Sequence, residues 1–241
     1  MTLREAWNAQ AAAWVAWARH ESDSYWRFHR DAFLELLPSP CTTLDVGCGE
    51  GRFPRELRSR GHAVIGVDAS EALIAHARAA DPGGDYRVAD TSALPLADAS
   101  FELVTAFMVL QDVDDMPVAV REASRVLKPG GFLCLAIVHP LASAGRFEDR
   151  ASDAPFLIRS SYFEPRRCAD TMERDGRRVT FHSEHRPIAA YVDAISGAGL
   201  LVDRLREIPD RSDPPGSRWQ RVPLFLHLRA VKPLGLVSIR T

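Results

Sequence analysis

Residues 44–52 read LDVGCGEGR. Gly47, Gly49 and Gly51 fall at every second position, directly after a short apolar run. Glycine serves tight turns and close backbone approach, so the stretch predicts a strand that ends in a turn held against a ligand. Asp45 stands two residues before the first of these glycines. Which ligand accepts an acid at that place decides the reading of the whole chain.

Strand and helix signals alternate on both sides of the turn. CTTLDVG (41–47) and HAVIGVD (62–68) read as strands, separated by the helical FPRELRSR (53–60) that stops at Gly61. SEALIAHARAA (70–80) is a helix opened by Ser70, with Glu71 in its first turn. YRVAD (86–90), the apolar FELVTAFMVL (101–110) and FLCLAIVHP (132–140) continue as strands, with the helix MPVAVREASRVL (116–127) closed by Lys128-Pro129-Gly130-Gly131. Such alternation predicts an α/β fold with a parallel sheet and right-handed crossovers. Two helices come first. Residues 5–19 place Trp7, Trp14 and Trp17 on part of one face, and WRFHRDAFLELL (26–37) stops at Pro38. After His139 the alternation breaks for more than forty residues. There CADTMER and RRVTFHSE flank Asp175-Gly176, a hairpin signal. A helix over RPIAAYVDAISGAG (186–199) and strands over VDRLREI and VPLFLHLRAV finish the chain.

Three classes of ligand use a glycine turn after a first strand. A P-loop needs Lys-Ser/Thr after its last glycine, but Arg52 and Phe53 follow here. A dinucleotide site needs G-x-G-x-x-G, whereas the spacing here is G-x-G-x-G. A carboxylate at Asp45 would also repel a pyrophosphate and favour a cationic ligand. S-adenosylmethionine has an ammonium, a sulfonium and no phosphate. Asp68 ends the second strand, 21 residues beyond Gly47, where an acid accepts from ribose hydroxyls. Asp90 ends the third strand, within reach of an adenine amino group.

These segments resemble a class I S-adenosylmethionine-dependent methyltransferase of the small-molecule type. LDVGCGEGRF, VIGVDAS, VADTSALPLADASFELV and EASRVLKPGGFLCLA match its successive motifs, densely over residues 40–140. The resemblance implies a Rossmann-like, doubly wound, mostly parallel seven-stranded sheet with the last strand antiparallel. It implies one domain: an N-terminal helical lid (1–38), a cofactor-binding core (40–140), a substrate-binding insertion (141–186) and a C-terminal helix with strands 6 and 7 (187–241). By the same resemblance Asp45, Gly47 and Gly49 line the methionine end, Asp68 takes the ribose and Ala69 flanks the adenine. Asp90 with Thr91 takes the adenine edge, and Phe107 closes the pocket. One departure is Gln111-Asp112, where many relatives carry a histidine pair; no role transfers to it.

The lid is expected to place Trp14 on the ligand and Arg19 on the methionine carboxylate. The insertion is expected to build the acceptor pocket, with Tyr162, Phe163 and His182 against the substrate. His139, at the end of the fifth strand, and His185 are the candidate general bases, because a histidine titrates near neutrality. His20, His62, His76 and His227 read as surface or packing residues. Thirty basic against 32 acidic residues give a net charge of -2, with no basic stripe for a nucleic acid. FMVLQD, where base methylases carry an Asp/Asn-Pro-Pro-aromatic segment, argues the same way. No run reaches the roughly 18 apolar residues of a membrane span, and the four scattered cysteines show no metal spacing and fit a reducing cytoplasm. The expectation is a cytoplasmic, metal-independent methyltransferase for a small acceptor, a monomer or homodimer. The competing readings are a non-catalytic cofactor-binding protein, a nucleic-acid or protein methyltransferase, and a nicotinamide dehydrogenase.

Overall fold

The computed structural model describes residues 2–20, 23–210 and 217–234. Residues 211–216 and 235–241 of the expected C-terminal segment, and 1, 21 and 22 of the lid, lie outside these. Helix α1 (Leu3–Ala18) starts at a capping box, in which Thr2 and Glu5 satisfy each other's backbone N–H groups. A π-helical turn (Tyr25–His29) leads into α2 (Arg30–Leu34). The core then runs β1 (Thr42–Val46), α3 (Arg52–Ser59), β2 (Ala63–Asp68), α4 (Glu71–Ala80), β3 (Asp85–Val88), β4 (Phe101–Phe107), α5 (Met116–Val126) and β5 (Leu127–Val138). The insertion holds α6 (Pro140–Ala144), the short pair β6 (Arg146–Phe147) and β7 (Phe156–Leu157), and the hairpin β8 (Arg166–Arg174)–β9 (Arg177–His185). Helix α7 (Ile188–Gly197), β10 (Leu201–Ile208) and β11 (Phe225–Val231) follow.

Seven strands form one sheet in the order β10-β11-β5-β4-β1-β2-β3. Only β11 runs against its neighbours, β5 and β10. Both faces are covered, so β4 and β5 are nearly continuous in apolar residues. Met116, Val120, Tyr191 and Ile195 pack on one face, and Tyr25, Phe33, Phe53 and Leu57 on the other. The chain order reverses between β1 and β4, and the crevice at the carboxyl ends of those strands is where such sheets bind ligands.

Two local expectations change. The predicted helix over 26–37 is a π-turn followed by α-helix; both geometries bring residues four apart to one side, so spacing alone does not separate them. The turn expected at 128–131 is drawn into β5. Pro129 lacks an N–H, and Gly130 N and Lys232 N bond reciprocally to Lys232 O and Gly131 O, which stitches the segment to the end of β11.

Candidate cofactor and acceptor site

The glycine turn joins β1 to α3 with all three glycines at positive φ, 68° at Gly47, 57° at Gly49 and 83° at Gly51. They serve different needs. A Cβ on Gly47 would lie 2.2 Å from Val109 Cγ2, and one on Gly51 2.9 Å from Tyr86 Cε1. On Gly49 it would meet only Trp14 Nε1, at 3.3 Å. Gly47 and Gly51 are thus demanded by packing within the protein. Gly49 brings backbone close to the underside of α1.

The turn opens into a cavity of about 1060 Å³. Asp45, Gly47, Gly49, Asp68, Ala69 and Asp90 line it, as do Thr91, Phe107 and Trp14. Asp45 is 1% exposed and accepts a 2.5 Å bond from Thr105 Oγ1, its register partner on β4. Burial drives its carboxyl up to about 7, against the Thr105 bond that lowers it, and Asp68 pushes in the same direction as burial. Asp68 accepts from Gly49 N (2.9 Å) and Ser70 N (2.8 Å), one on each oxygen; burial raises its pKa too. Each carboxylate oxygen has a second acceptor site free of these bonds. Asp90 accepts from Ser92 N and Oγ, which hold its carboxyl low.

Helix α1 and the hairpin roof the cavity together. Phe181 of β9 sits 6.3, 6.0 and 5.9 Å from Trp7, Trp14 and Trp17, edge-on to each. Trp7 Nε1 donates to His182 O across the same seam. Arg52 lies in the cavity, donating to Ala18 O and to Asp23 while stacking on Tyr25.

Several predicted side chains sit elsewhere. Arg19 is outside the cavity, 3.3 Å from Glu50; Arg52 is the guanidinium that faces in. His139 is not among the lining residues, although Val138 and Ala142 are. It caps α6, its Nδ1 accepting from Leu141 N, and its Nε2 lies 3.1 Å from Glu207 without hydrogen-bond alignment. The expected orientation toward the methyl position is therefore corrected: Pro140 starts a helix, and that helix takes the imidazole as its cap. Tyr162 turns its hydroxyl to Ile188 N, Phe163 is 78% exposed, and His182 contributes its carbonyl to the roof. His185 lies behind the wall. Its Nε2 donates to Tyr162 O (2.9 Å), so its Nδ1 is the acceptor, 2.7 Å from Ser143 Oγ. Ser143 lines the cavity. Burial lowers the pKa of both histidines. Asp112 also lines the cavity, its carboxyl raised well above the usual range by burial.

A family model described as "Methyltransferase domain" matches residues 44–135. A solved S-adenosylmethionine-dependent methyltransferase from Mesorhizobium loti superposes with a TM-score of 0.70 at 25% identity, covering 88% of this chain and 99% of that one. Residues 44–135 thus match the methyltransferase family, and the fold resembles that of S-adenosylmethionine-dependent methyltransferases. The malonyl-[acyl-carrier protein] O-methyltransferase of Enterobacter lignolyticus is 37% identical over 130 residues, 52% of each chain. A probable S-adenosylmethionine-dependent methyltransferase of Mycolicibacterium smegmatis is 38% identical over 112 residues, 45% of this chain and 44% of the relative. The chain thus spans about half the length of these curated relatives. The matched family and the fold imply S-adenosyl-L-methionine as the cofactor. The site fits that group: a buried acid with no cation beside it among the described residues suits a cationic ligand, and the cavity exceeds what the cofactor alone would fill. Among the described residues no helix is long and apolar enough to cross a membrane.

Proposed function

We propose that the chain transfers a methyl group to a small organic acceptor by in-line displacement, with segments 1–38, 40–140, 141–186 and 187–241 acting as one domain. The observation that carries this reading is Asp45, a carboxylate left without a cation among the described residues, beside a turn of three positive-φ glycines in a large roofed cavity. When bound, the cofactor supplies an electrophilic methyl on a sulfonium. Asp45 balances its positive charge, Asp68 accepts from ribose hydroxyls, and Asp90 with Thr91 and Ala69 flanks the adenine. Gly47 shapes the turn, while Gly49 and Trp14 narrow the site from below and above. Phe107 and the Trp–Phe181 roof exclude water, and much of the rate comes from alignment. Where the acceptor must lose a proton, Ser143 takes it and hands its own to His185 Nδ1, which is held in the right tautomer by the Tyr162 carbonyl.

Calorimetry with S-adenosylmethionine, S-adenosylhomocysteine and NAD tests the cofactor, followed by detection of S-adenosylhomocysteine release over an acceptor panel. The two adenosyl ligands are expected to bind and NAD not. Asp68→Ala should weaken binding about ten- to a hundredfold, the worth of hydrogen bonds to a charged group. Binding of NAD alone, or full affinity in Asp68→Ala, would sink the assignment.

A further inference from the structure

The charges that line the cavity are sorted by position. On the core side, Asp45 and Asp68 have no cation within ion-pair distance among the described residues. On the insertion side the imbalance is reversed. Arg146, Arg159 and Arg166 line the cavity there, with Arg27 from the π-turn. Arg166 spends its guanidinium on the carbonyls of Ser143 and Ser161. Among the described residues, no carboxylate pairs with Arg27, Arg146 or Arg159. The guanidiniums of Arg146 and Arg159 both line the one cavity, and the β6–β7 pairing brings Arg146 beside Leu157, two residues before Arg159. Asp170 and Asp210 line this side as well, but Asp210 accepts from Ser217 and neither pairs with Arg146 or Arg159.

We propose that the acceptor carries an oxyanion, a carboxylate or phosphate, which Arg146 and Arg159 hold at the insertion end of the cavity. This rests on the functional reading above. The oxyanion is an anchor and not the nucleophile, because a guanidinium bound to a carboxylate draws off the electron density that attack on the methyl requires. The methylated atom is a second group of the same molecule, placed toward Ser143 and the core. Arg fits this task better than Lys would, since its planar fork grips two oxygens at once.

The test uses titration calorimetry in saturating S-adenosylhomocysteine, with isosteric probe pairs: 4-hydroxybenzoate against 4-hydroxybenzamide, 3-phenylpropionate against its amide, and phenyl phosphate against phenol. The carboxylate and phosphate arms distinguish the two oxyanions. In at least one pair the anion should bind ten- to a hundredfold tighter than its neutral partner, and the preference should shrink at 0.5 M salt. Arg146→Gln/Arg159→Gln should reduce it to within about threefold with unchanged S-adenosylhomocysteine affinity, whereas Arg204→Gln, outside the cavity, should leave it intact. The proposal is overturned if no pair favours the anion, or if the preference survives the double substitution. Failure of the wild type to bind S-adenosylhomocysteine at all would instead overturn the functional reading, and this inference with it.

Discussion

Asp45→Asn separates two consequences of one buried carboxylate. In the folded chain its pKa stands near 7 because burial disfavours the charge, while in the unfolded chain an Asp titrates near 3.9. The folded value is the raised one, so the folded state keeps the proton where the unfolded state has released it. Stability is therefore lost as pH rises from about 4 to about 7 and is level above that. The displacement corresponds to about 4 kcal/mol at pH 8. Asn keeps an oxygen for the Thr105 hydroxyl and removes the charge. Without cofactor, Asp45→Asn should melt roughly 10 °C higher at pH 8, with the gap closing toward pH 4. Its affinity for S-adenosylmethionine should fall ten- to a hundredfold, because the cation loses its counter-charge. Wild-type affinity should rise with pH up to about 7, as the ligand requires the ionised acid. Thermal melts and calorimetry from pH 4 to 9 read both effects. A melting gap that does not change with pH, or a variant that binds as tightly as wild type, would refute the account.

The remaining expectations concern histidines. His139→Gln should cost about 1 kcal/mol through the lost cap and leave the shape of the pH–rate profile unchanged; a flattened acid limb would return His139 to the chemistry. Ser143→Ala should lower kcat by about 10²–10⁴ on an acceptor that must be deprotonated, with cofactor affinity intact; equal turnover at all pH values would remove the Ser143–His185 route. His29 and His227 are fully buried, joined Nδ1 to Nε2 at 2.9 Å. Burial holds His29 well below the usual range and lowers His227 to about 3. Both stay neutral in the fold, so stability should fall with pH below about 6.5, by up to about 2.7 kcal/mol per pH unit for two protons. Urea titrations of His29→Leu/His227→Leu should show that slope reduced.

The order of strands and helices over 40–140 was legible because period-2 and period-3.6 patterns are punctuated there by Gly, Pro and Ser70. The hairpin was legible for a similar reason: Asp175 and Gly176 both take positive φ, 52° and 71°, as the tight turn demands. Side-chain direction was harder. The end of a strand gives His139 a place but not a rotamer, and the cap on α6 decided it. Arg19 and Arg52 are both near the lid, and only the packing of Arg52 between Asp23 and Tyr25 shows which one turns inward. The Ser143–His185 contact spans 42 residues. No local pattern encodes a contact of that kind, although a lone Ser beside a predicted acceptor pocket was a signal that could have been weighed.

Phe181 lies among three tryptophans of α1, and Trp7 is tied to the hairpin backbone one residue further on. Helix α1 and the hairpin, which together cover the cavity, are therefore one mechanical piece. Neither can lift without dragging the other. Arrival of the first ligand sets the shape of the chamber for the second, and departure of either product waits on the same movement. Opening for either ligand is therefore one and the same event, shared between helix α1 and the hairpin.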